Sequence, residues 1–378
     1  MKRLKVGLLS SQNCLDRNPW SGILYCMQRA LKTRDLDLIY LGAPSPDPLW
    51  LRVAKRLQKV SSRFNRKSVD YARPYKKLAV RVTQQLAETP CDVIFAPVAS
   101  QELTFLETNI PIVYCSDTTR SLWWKHYDPH PEPDQKQWRT VNESAAMAKS
   151  SKLVYPSTWA ADSVVHDHGV DPAKVAVIPF GANMDTPPSA DLILSSKKYD
   201  KCRLLFVGKE WKRKGGDIAL DAMRSLRKMG IDAELTVVGT VPPEGVQDEH
   251  LTFIPFINKN IPEQLQKLQD LYFEASFFIF PTRAECYGIV ICEANAFGLP
   301  VITTDQGGVS TIIRDGKNGY KLPLSASGAE YAKLIAEIFG DRSRYERLVL
   351  SSRAEHDTRL NWNTWAEKLH EVFLSVVD

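Results

Sequence analysis

Two acids, Glu285 and Glu293, lie eight residues apart in the stretch PTRAECYGIVICEANAFGLPVITTDQGG, which spans 281–308. The first follows an apolar run that ends in a proline, and the second falls inside a helical pattern about two turns further on. A carboxylate accepts two hydrogen bonds from a vicinal diol in a fixed geometry. The spacing therefore predicts that one acid holds a ribose and the other a second sugar. The alternatives are an acid that complements the helix dipole and an exposed helix acid.

A second chemical cluster is the stretch VGKEWKRKGGDIAL, which spans 207–220. Lys209, Lys212, Arg213 and Lys214 crowd one strand–helix junction, where a helix N-terminus adds partial positive charge. Its glycines allow a ligand to approach the backbone. We expect a diphosphate site here, although the stretch matches neither GxxxxGK[ST] nor GxGxxG. The alternative is a solvated basic turn.

The backbone N–H groups of Cys286, Tyr287 and Gly288 come near the start of the helix that carries the second acid. At that position they would face phosphates. Together, the two acids, the helix start and the cations predict a nucleotide-sugar site, with the acids at its two ends.

Short apolar runs alternate with helical patterns along the chain, which is typical of parallel strands buried on both faces. The predicted strands are 5–11, 36–42, 91–97, 110–116, 151–157, 173–181, 202–208, 233–239, 251–256, 277–281 and 300–305. A stretch rich in proline and charge, 182–200, interrupts the alternation and indicates a linker. The expected fold is therefore α/β, with two doubly wound, Rossmann-like parallel-sheet domains facing across a cleft. Ligands bind such sheets at the carboxyl ends of the strands.

The order of these motifs resembles the retaining glycosyltransferases of family 4, the group 1 glycosyl transferases with the GT-B fold. FVG, basic residues and KGG precede a helix, and P-T-x-x-E-x-x-G-x-x-x-x-E-A-x-A-x-G-x-P-V and G-G follow. EANAFGLPV at 293–301 matches the family pattern, and the resemblance extends through most of the chain, including 157–183.

The resemblance implies a donor domain over 186–362 and an acceptor domain over 1–185, with a last helix, 363–378, crossing back to the acceptor domain. It also implies a leaving diphosphate neutralised by cations, and transfer with retention by front-face attack through a short-lived oxocarbenium-like ion pair. No metal and no other cofactor is expected. The predicted catalytic residues are Arg213, Lys214, Glu285 and Asp117. The predicted donor-binding residues are Lys209, Ser21, Gly22, Val238, Phe256, Cys286, Tyr287, Gly288, Ile289, Glu293, Gly307 and Gly308.

The chain departs from the family pattern in two places. Thr311 stands where many members have a glutamate after the G-G turn, and Ser116, Asp117 and Thr118 stand where many have a histidine. Asp117 is expected to contact a sugar of the acceptor or donor, or else to cap a turn.

Two loops of the first domain add candidates. In 15–23, the N–H groups of Ser21 and Gly22 are predicted to meet phosphate or acceptor, and Trp20 either stacks on a sugar or is buried. The loop 120–134 gathers aromatic residues that serve either as acceptor platforms or as local packing. Its candidates are Trp123, Trp124, His126, Tyr127 and His130.

Composition narrows the class of protein. The 378 residues suggest two domains, and 44% hydrophobic residues exclude disorder of the whole chain. The chain has seven cysteines, and their spacing does not match that of zinc ligands. We therefore expect them to be small buried residues in a reducing compartment. No apolar run is long enough to span a bilayer, and the N-terminus lacks a secretory pattern, so a cytoplasmic location is expected.

The net charge of +5 is concentrated in 52–81, where Asp70 is the only acid among eleven basic residues. The segment is either a solvated helical edge or a contact with anionic lipid, which would place the protein peripherally at the inner membrane face. No nucleic-acid signature accompanies this charge.

The function expected from these features is transfer of a hexose from a UDP- or GDP-linked sugar to a hydroxyl of a glycan, lipid-linked or small-molecule acceptor. Two alternatives stay open: a nucleotide-sugar 2-epimerase of the same fold, and a non-catalytic two-lobed sugar-binding protein.

Overall fold

The computed structural model describes residues 3–42 and 71–377. Most of the basic segment 52–81 therefore lies outside the described residues, and its predicted membrane contact is untested. The described part of this segment, 71–81, includes the start of the helix Arg73–Glu88.

The first domain is built on a six-stranded parallel sheet with the order β2-β1-β3-β4-β5-β6. Its strands are β1 Leu4–Leu9, β2 Leu36–Leu41, β3 Val93–Pro97, β4 Ile112–Cys115, β5 Lys152–Tyr155 and β6 Val175–Val177. β1, β3, β4 and β5 are buried over most of their length, as expected for strands covered on both faces.

The second domain repeats this plan with the order β12-β11-β10-β7-β8-β9, again parallel. Its strands are β7 Cys202–Val207, β8 Ala233–Val238, β9 Leu251–Ile254, β10 Phe277–Phe280, β11 Val301–Thr304 and β12 Gly319–Leu322. The two doubly wound domains confirm the predicted fold class. β12 was not predicted because its sequence, GYKL, has no apolar run and is mostly half-buried.

Helices cover both sheets and connect their strands. The α-helices are Ile23–Lys32, Arg73–Glu88, Ser100–Thr104, Arg120–His126, Pro133–Lys149, Thr158–His166, Ala190–Ser196, Trp211–Lys214, Gly216–Lys228, Pro262–Glu274, Ile289–Ala296, Val309–Ile312, Gly328–Gly340, Arg342–Thr358 and Trp362–Val377, with 3₁₀ turns at Pro19–Gly22 and Pro172–Lys174. Among the described helices, none combines the length and the apolar character that crossing a bilayer requires.

In each sheet, the order in which successive strands are added reverses between two neighbouring parallel strands. These strands are β1 and β3 in the first sheet and β7 and β10 in the second. At such a switch point the loops that leave the two strands diverge and open a crevice at their carboxyl ends. The loops after β1, β7 and β10 carry most of the residues singled out by chemistry. Topology alone places those after β7 and β10 at one edge of the second sheet, and the loop after β1 at the corresponding edge of the first.

The last helix, Trp362–Val377, packs on the first domain. Its buried Trp365 and Phe373 lie 6.1 and 5.6 Å from the ring of Phe95 on β3, centroid to centroid. Burying aromatic rings of this size is worth several kcal/mol, about 25 cal/mol per Å². This is the position predicted for a helix that crosses back, while the domain boundary at 185/186 stays a prediction.

All seven cysteines are buried and free, as their sequence context predicted.

Candidate active site

A cavity of about 490 Å³ lies between the carboxyl edges of the two sheets. It is lined from both domains, which is the geometry expected of a cleft enzyme. The predicted residues that line it are Ser21, Asp117, Val238, Phe256, Lys209, Arg213, Lys214, Glu285, Cys286, Gly288 and Ile289.

The basic junction after β7 folds as a single helical turn, Trp211–Lys214, followed directly by the helix Gly216–Lys228. Gly215 has a φ of 78°, and a Cβ there would lie 1.9 Å from the carbonyl oxygen of Pro281. A Cβ on Gly216 would meet the Trp211 ring at 2.2 Å. The two glycines are thus required by contacts within the protein. The predicted approach of a ligand to the backbone stays a prediction, and Gly208 of the same stretch lines the cavity.

The cations of this junction are held by acids and ring faces. Arg213 forms an ion pair with Glu210 through Nε and donates from Nη1 to the carbonyl oxygen of Ala284 at 2.7 Å. Lys214 forms an ion pair with Glu285, and both side chains are nearly buried, at 13% and 11% exposure. An anion entering the cavity would therefore exchange with a carboxylate already in place.

The other two predicted cations behave differently. The Lys209 Nζ lies 5.9 Å from the Phe256 ring centroid at the cavity wall. Lys212 is 79% exposed, pairs with Asp217 at 3.1 Å and does not line the cavity.

Glu285 occupies the turn between β10 and the helix Ile289–Ala296, and Gly288, with a φ of 96°, caps that helix. The helix start therefore faces the cavity, as predicted. Tyr287 does not line it, because its buried hydroxyl donates to the carbonyl oxygen of Phe180 at 3.0 Å.

Glu293 is fully buried behind the cavity wall. Lys259 Nζ contacts one carboxylate oxygen at 2.6 Å, and the Tyr272 hydroxyl donates to the other at 3.0 Å. The reading of an exposed helix acid was wrong. The predicted ribose contact stays a prediction, and Lys259, which does line the cavity, stands between Glu293 and any ligand.

Gly307 and Gly308 also lie off the cavity and serve the turn that holds Glu285. The N–H of Gly308 donates to the carbonyl oxygen of Glu285 at 3.2 Å. A Cβ on Gly307 would lie 2.0 Å from the same oxygen, and one on Gly308 would lie 2.1 Å from the carbonyl of Cys286. In this structure they act on the site through backbone packing.

Thr311, at the position where many family members have a glutamate, faces the other domain. Its hydroxyl accepts from the N–H of Thr158 at 3.1 Å.

On the first domain, the loop after β1 holds two non-glycine residues in the left-handed region, Trp20 at φ 48° and Ser21 at φ 57°. Each such residue costs about 1–3 kcal/mol and persists only when its surroundings hold it. The Ser21 carbonyl accepts from Asn183 Nδ2 at 2.8 Å, and the Trp20 indole N–H donates to Asp117 Oδ2 at 3.0 Å. Gly22 lies off the cavity, where a Cβ would meet the Arg17 carbonyl at 2.9 Å.

Asp117 lies at the cavity wall, opposite Glu285. Burial raises its pKa, the hydrogen bond from Trp20 lowers it, and the nearby Glu285 charge raises it again. The helix-capping role belongs to Thr119, whose hydroxyl accepts from the Leu122 N–H at 3.2 Å. Asp117 thus does not cap the helix, and it lines the cavity while holding the Trp20 indole; its contact with a sugar stays a prediction.

The aromatic stretch 120–134 is not a loop throughout, because it begins with the helix Arg120–His126. Its residues divide between cavity lining and local packing. Trp123 and Tyr127 line the cavity. Trp124 is buried and donates to Thr140 at 3.2 Å, while His130 is exposed.

Sequence reasoning missed several cavity residues, chiefly Arg17, Asn18 and Lys259. Their neighbour Asn260 joins the two domains: its Oδ1 accepts from the Arg17 N–H at 3.1 Å, and its Nδ2 donates to Asp16 at 2.8 Å. Two signals were available: the loop 15–23 contains Arg17 and Asn18, and 257–261, which contains Lys259, directly follows the predicted strand 251–256. Which side chain crosses the cleft depends on how the domains meet.

The described residues contain no cluster of three or more His, Cys, Asp or Glu side chains that could hold a metal ion.

Two family models match the chain. Residues 23–186 match the model of glycosyltransferase family 4, and residues 201–341 match that of the group 1 glycosyl transferases. The chain belongs to glycosyltransferase family 4. The resemblance drawn from the two acids and the basic junction is thereby confirmed.

Relatives within family 4 include two named D-inositol 3-phosphate glycosyltransferase. The one from Nocardia farcinica is 27% identical over 263 residues, which cover 64% of this chain and 56% of that protein. The one from Xylanimonas cellulosilytica is 28% identical over 286 residues, which cover 70% and 66%. The chain thus matches somewhat over half of the length of these relatives.

Solved structures agree on the fold. Sucrose-phosphate synthase from Thermosynechococcus elongatus superposes with a TM-score of 0.72 at 15% identity, over 99% of both chains. HepE from Anabaena, in complex with UDP and glucose, superposes at 0.66 and 17% identity, over 99% of this chain and 100% of that one. The fold is GT-B.

Proposed function

We propose that the protein transfers a hexose from a UDP- or GDP-linked sugar to a hydroxyl of a glycan, lipid-linked or small-molecule acceptor. The transfer retains anomeric configuration and needs no metal. The observation that carries this proposal is the meeting of Arg213, Lys214 and Glu285 at one wall of an interdomain cavity.

Charge exchange supports an anionic donor on this wall. Lys214 is nearly buried, and its charge is balanced by Glu285 in the absence of ligand. When a diphosphate binds, Lys214 can turn to the phosphate oxygens and release Glu285 to the hydroxyls of the sugar. Such an exchange keeps both charges compensated, which matters because an unpaired buried charge is costly.

The reaction then depends on the leaving group. The bond between the anomeric carbon and the diphosphate oxygen breaks, and negative charge develops on that oxygen beside Arg213 and Lys214. Preorganised cations placed where charge develops are usually the largest single contribution to such catalysis. The acceptor oxygen forms its bond on the same face of the sugar, and its proton passes to the departing diphosphate. Because two side-chain cations are already in place, no metal is required for this step.

Asp117 and Ser21 supply the opposite wall, from the first domain. We assign the acceptor to this side, where Asp117 can accept a hydrogen bond from the attacking hydroxyl or from a neighbouring one. A relative of known structure was solved with UDP and glucose, so UDP-glucose is the first donor to test.

A thermal-shift screen with UDP, GDP, UDP-glucose and GDP-mannose tests the donor, because a ligand that binds the native state raises its stability. Donor hydrolysis without acceptor follows, with Lys214→Ala compared against Lys212→Ala, a lysine two residues away that points out of the cavity. We expect one nucleotide to stabilise the protein and Lys214→Ala alone to lose turnover. Absence of binding by all four ligands would overturn the proposal.

Product analysis by NMR separates the alternatives and tests retention. An epimerised nucleotide-sugar would indicate an isomerase, and binding without turnover under any condition would indicate a binding protein. An inverted glycoside would refute retention.

A further inference from the structure

Four side chains stack across the cleft from one domain to the other. The Arg213 Cζ lies 4.8 Å from the Tyr127 ring centroid, and the Tyr127 and Trp123 centroids are 4.7 Å apart at 9°. The Arg120 Cζ lies 6.0 Å from the Trp123 ring. We call Arg213, Tyr127, Trp123 and Arg120 the cleft stack. Cation–π contacts at these distances are attractive, and more so away from water.

The stack decides between two roles for the aromatic loop. With a guanidinium and an indole both this close to its centre, the Tyr127 ring has no open face for a sugar. Trp123 is likewise covered by Tyr127 and approached by Arg120. The Tyr127 ring can then not serve as an acceptor platform, so its place in the cavity needs another explanation.

Arg213 is restrained on three sides by Glu210, the Ala284 carbonyl and the Tyr127 ring. Its Nε and Nη1 are used, and Nη2 has no hydrogen-bond partner among the described residues. A planar guanidinium fixed in this way presents its remaining N–H groups in one direction. The Tyr127 ring is the restraint that comes from the other domain.

The Tyr127 hydroxyl is the second unusual feature. It is buried, and its close polar neighbour is the Cys286 thiol, a weak partner that makes no hydrogen bond of good geometry with it. A buried hydroxyl without a strong partner is destabilising, so a ligand that accepts from it gains by doing so. Burial, together with nearby Glu285 and Cys286, raises the Tyr127 pKa well above its usual range, so the hydroxyl keeps its proton and can donate.

We propose that Tyr127 is a donor-site residue with two functions: its ring positions Arg213 for the diphosphate, and its hydroxyl donates a hydrogen bond to the donor sugar. We assign this hydrogen bond to the sugar of the donor because the Tyr127 hydroxyl lies near Glu285, the predicted sugar contact. This inference rests on the proposed function, since it names a residue of the same donor site.

Two substitutions separate the ring from the hydroxyl, with UDP and UDP-glucose as probes, or GDP and GDP-mannose if the thermal shifts select those. Tyr127→Phe keeps the ring, so we expect UDP affinity within about twofold of wild type and a loss of about fivefold in kcat/KM for donor hydrolysis. Tyr127→Leu removes both, so UDP affinity should also fall by about tenfold.

A double-mutant cycle tests whether the ring acts through Arg213. In an Arg213→Ala background, Tyr127→Leu should cause no further loss of UDP affinity. An undiminished effect in that background would refute positioning of Arg213.

Tyr199→Leu is the matched control. Tyr199 also carries an arginine over its ring, Arg342 at 4.4 Å, but it lies just before the amino end of β7, away from the cavity. The Tyr199→Leu substitution should leave UDP affinity and donor hydrolysis unchanged. Equal losses from Tyr199→Leu and Tyr127→Leu would show a general stability effect and overturn the inference. Wild-type affinity and turnover in Tyr127→Leu would also overturn it. Failure of the proposed function would look different, because the wild-type protein itself would neither bind nor hydrolyse the donor.

Discussion

Several acids of the two domains, some at the cavity and some buried away from it, are held in opposite ways. In the first domain, Glu102 accepts from the Ser11 hydroxyl, Asp117 from the Trp20 indole at 3.0 Å, and Glu143 from the backbone N–H of Arg120 at 2.6 Å. These donors are neutral, and burial raises the pKa of all three carboxyls.

In the second domain, three acids at or behind the cavity wall each meet a side-chain cation. Glu210 pairs with Arg213, Glu285 with Lys214, and Glu293 with Lys259 at 2.6 Å. The comparison shows that the second wall holds positive charge that an anionic ligand can take over, whereas Asp117 on the first wall is held by a neutral donor and suits a hydroxyl. The assignment of donor and acceptor to the two domains rests on this difference.

The largest expected effect comes from removing a cation of the second wall. Lys214→Ala should lower donor turnover by about a thousandfold, because it removes the charge beside the leaving oxygen. Steady-state kinetics with the donor selected by thermal shift measures it, with Lys212→Ala as the control. Unchanged turnover would break the assignment of the donor to this wall.

The buried pair Lys259–Glu293 should matter most for stability. Lys259→Met leaves Glu293 buried with only the Tyr272 hydroxyl, and we expect a loss of about 3 kcal/mol in the free energy of unfolding. Adding Glu293→Gln should recover most of the loss in urea denaturation. If Lys259→Met is as stable as wild type, the buried Glu293 carboxylate does not need the charge of Lys259. The expectation based on its burial would then be contradicted.

Glu285→Ala separates the roles of the ion pair. It should reduce turnover by about a hundredfold by removing the sugar contact, while UDP or GDP still binds because Lys214 is freed. Calorimetry and donor hydrolysis on the same sample test this. Full activity would remove Glu285 from the proposed sugar site.

The smallest effect concerns the first wall and depends on pH. Burial raises the pKa of Glu143 to about 7, so the folded state holds its proton more tightly than the unfolded chain. Stability should therefore fall as pH rises from the ordinary carboxyl range through 7, by about 2 kcal/mol between pH 5 and pH 8.

Glu143→Gln should remove that part of the pH dependence, as measured by urea denaturation at both pH values. An unchanged pH profile in the variant would mean that Glu143 ionises as an ordinary carboxyl. The difference between the acids of the two domains would then be smaller than we infer.

Much of the architecture was accessible from the residues. Runs such as VIFAP and FFIF predicted strands because parallel strands covered on both faces are apolar throughout. β12 was missed because its residues carry no such pattern. The three residues Arg213, Lys214 and Glu285 were found because they follow β7 and β10, and neighbouring parallel strands present their carboxyl ends at one edge.

Other parts of the site depended on contacts that no local pattern encodes. Glu285 and Glu293 look alike in sequence, yet one lines the cavity and the other is sealed behind Lys259. Gly215 and Gly307 looked like ligand-facing glycines, and both are explained by a carbonyl from a distant segment.

The sequence by itself determined the two parallel-sheet domains, the family and the edge at which the chemistry lies, because apolar runs, turn residues and motif spacing are local properties. Only the tertiary structure decided which acid pairs with which cation, how Trp20 is held by Asp117, and that Tyr127 lies on Arg213. Most of those contacts join residues 34 to 97 positions apart, and the Tyr127–Arg213 contact joins the two domains. Each is selected by burial and charge compensation, which no local pattern encodes.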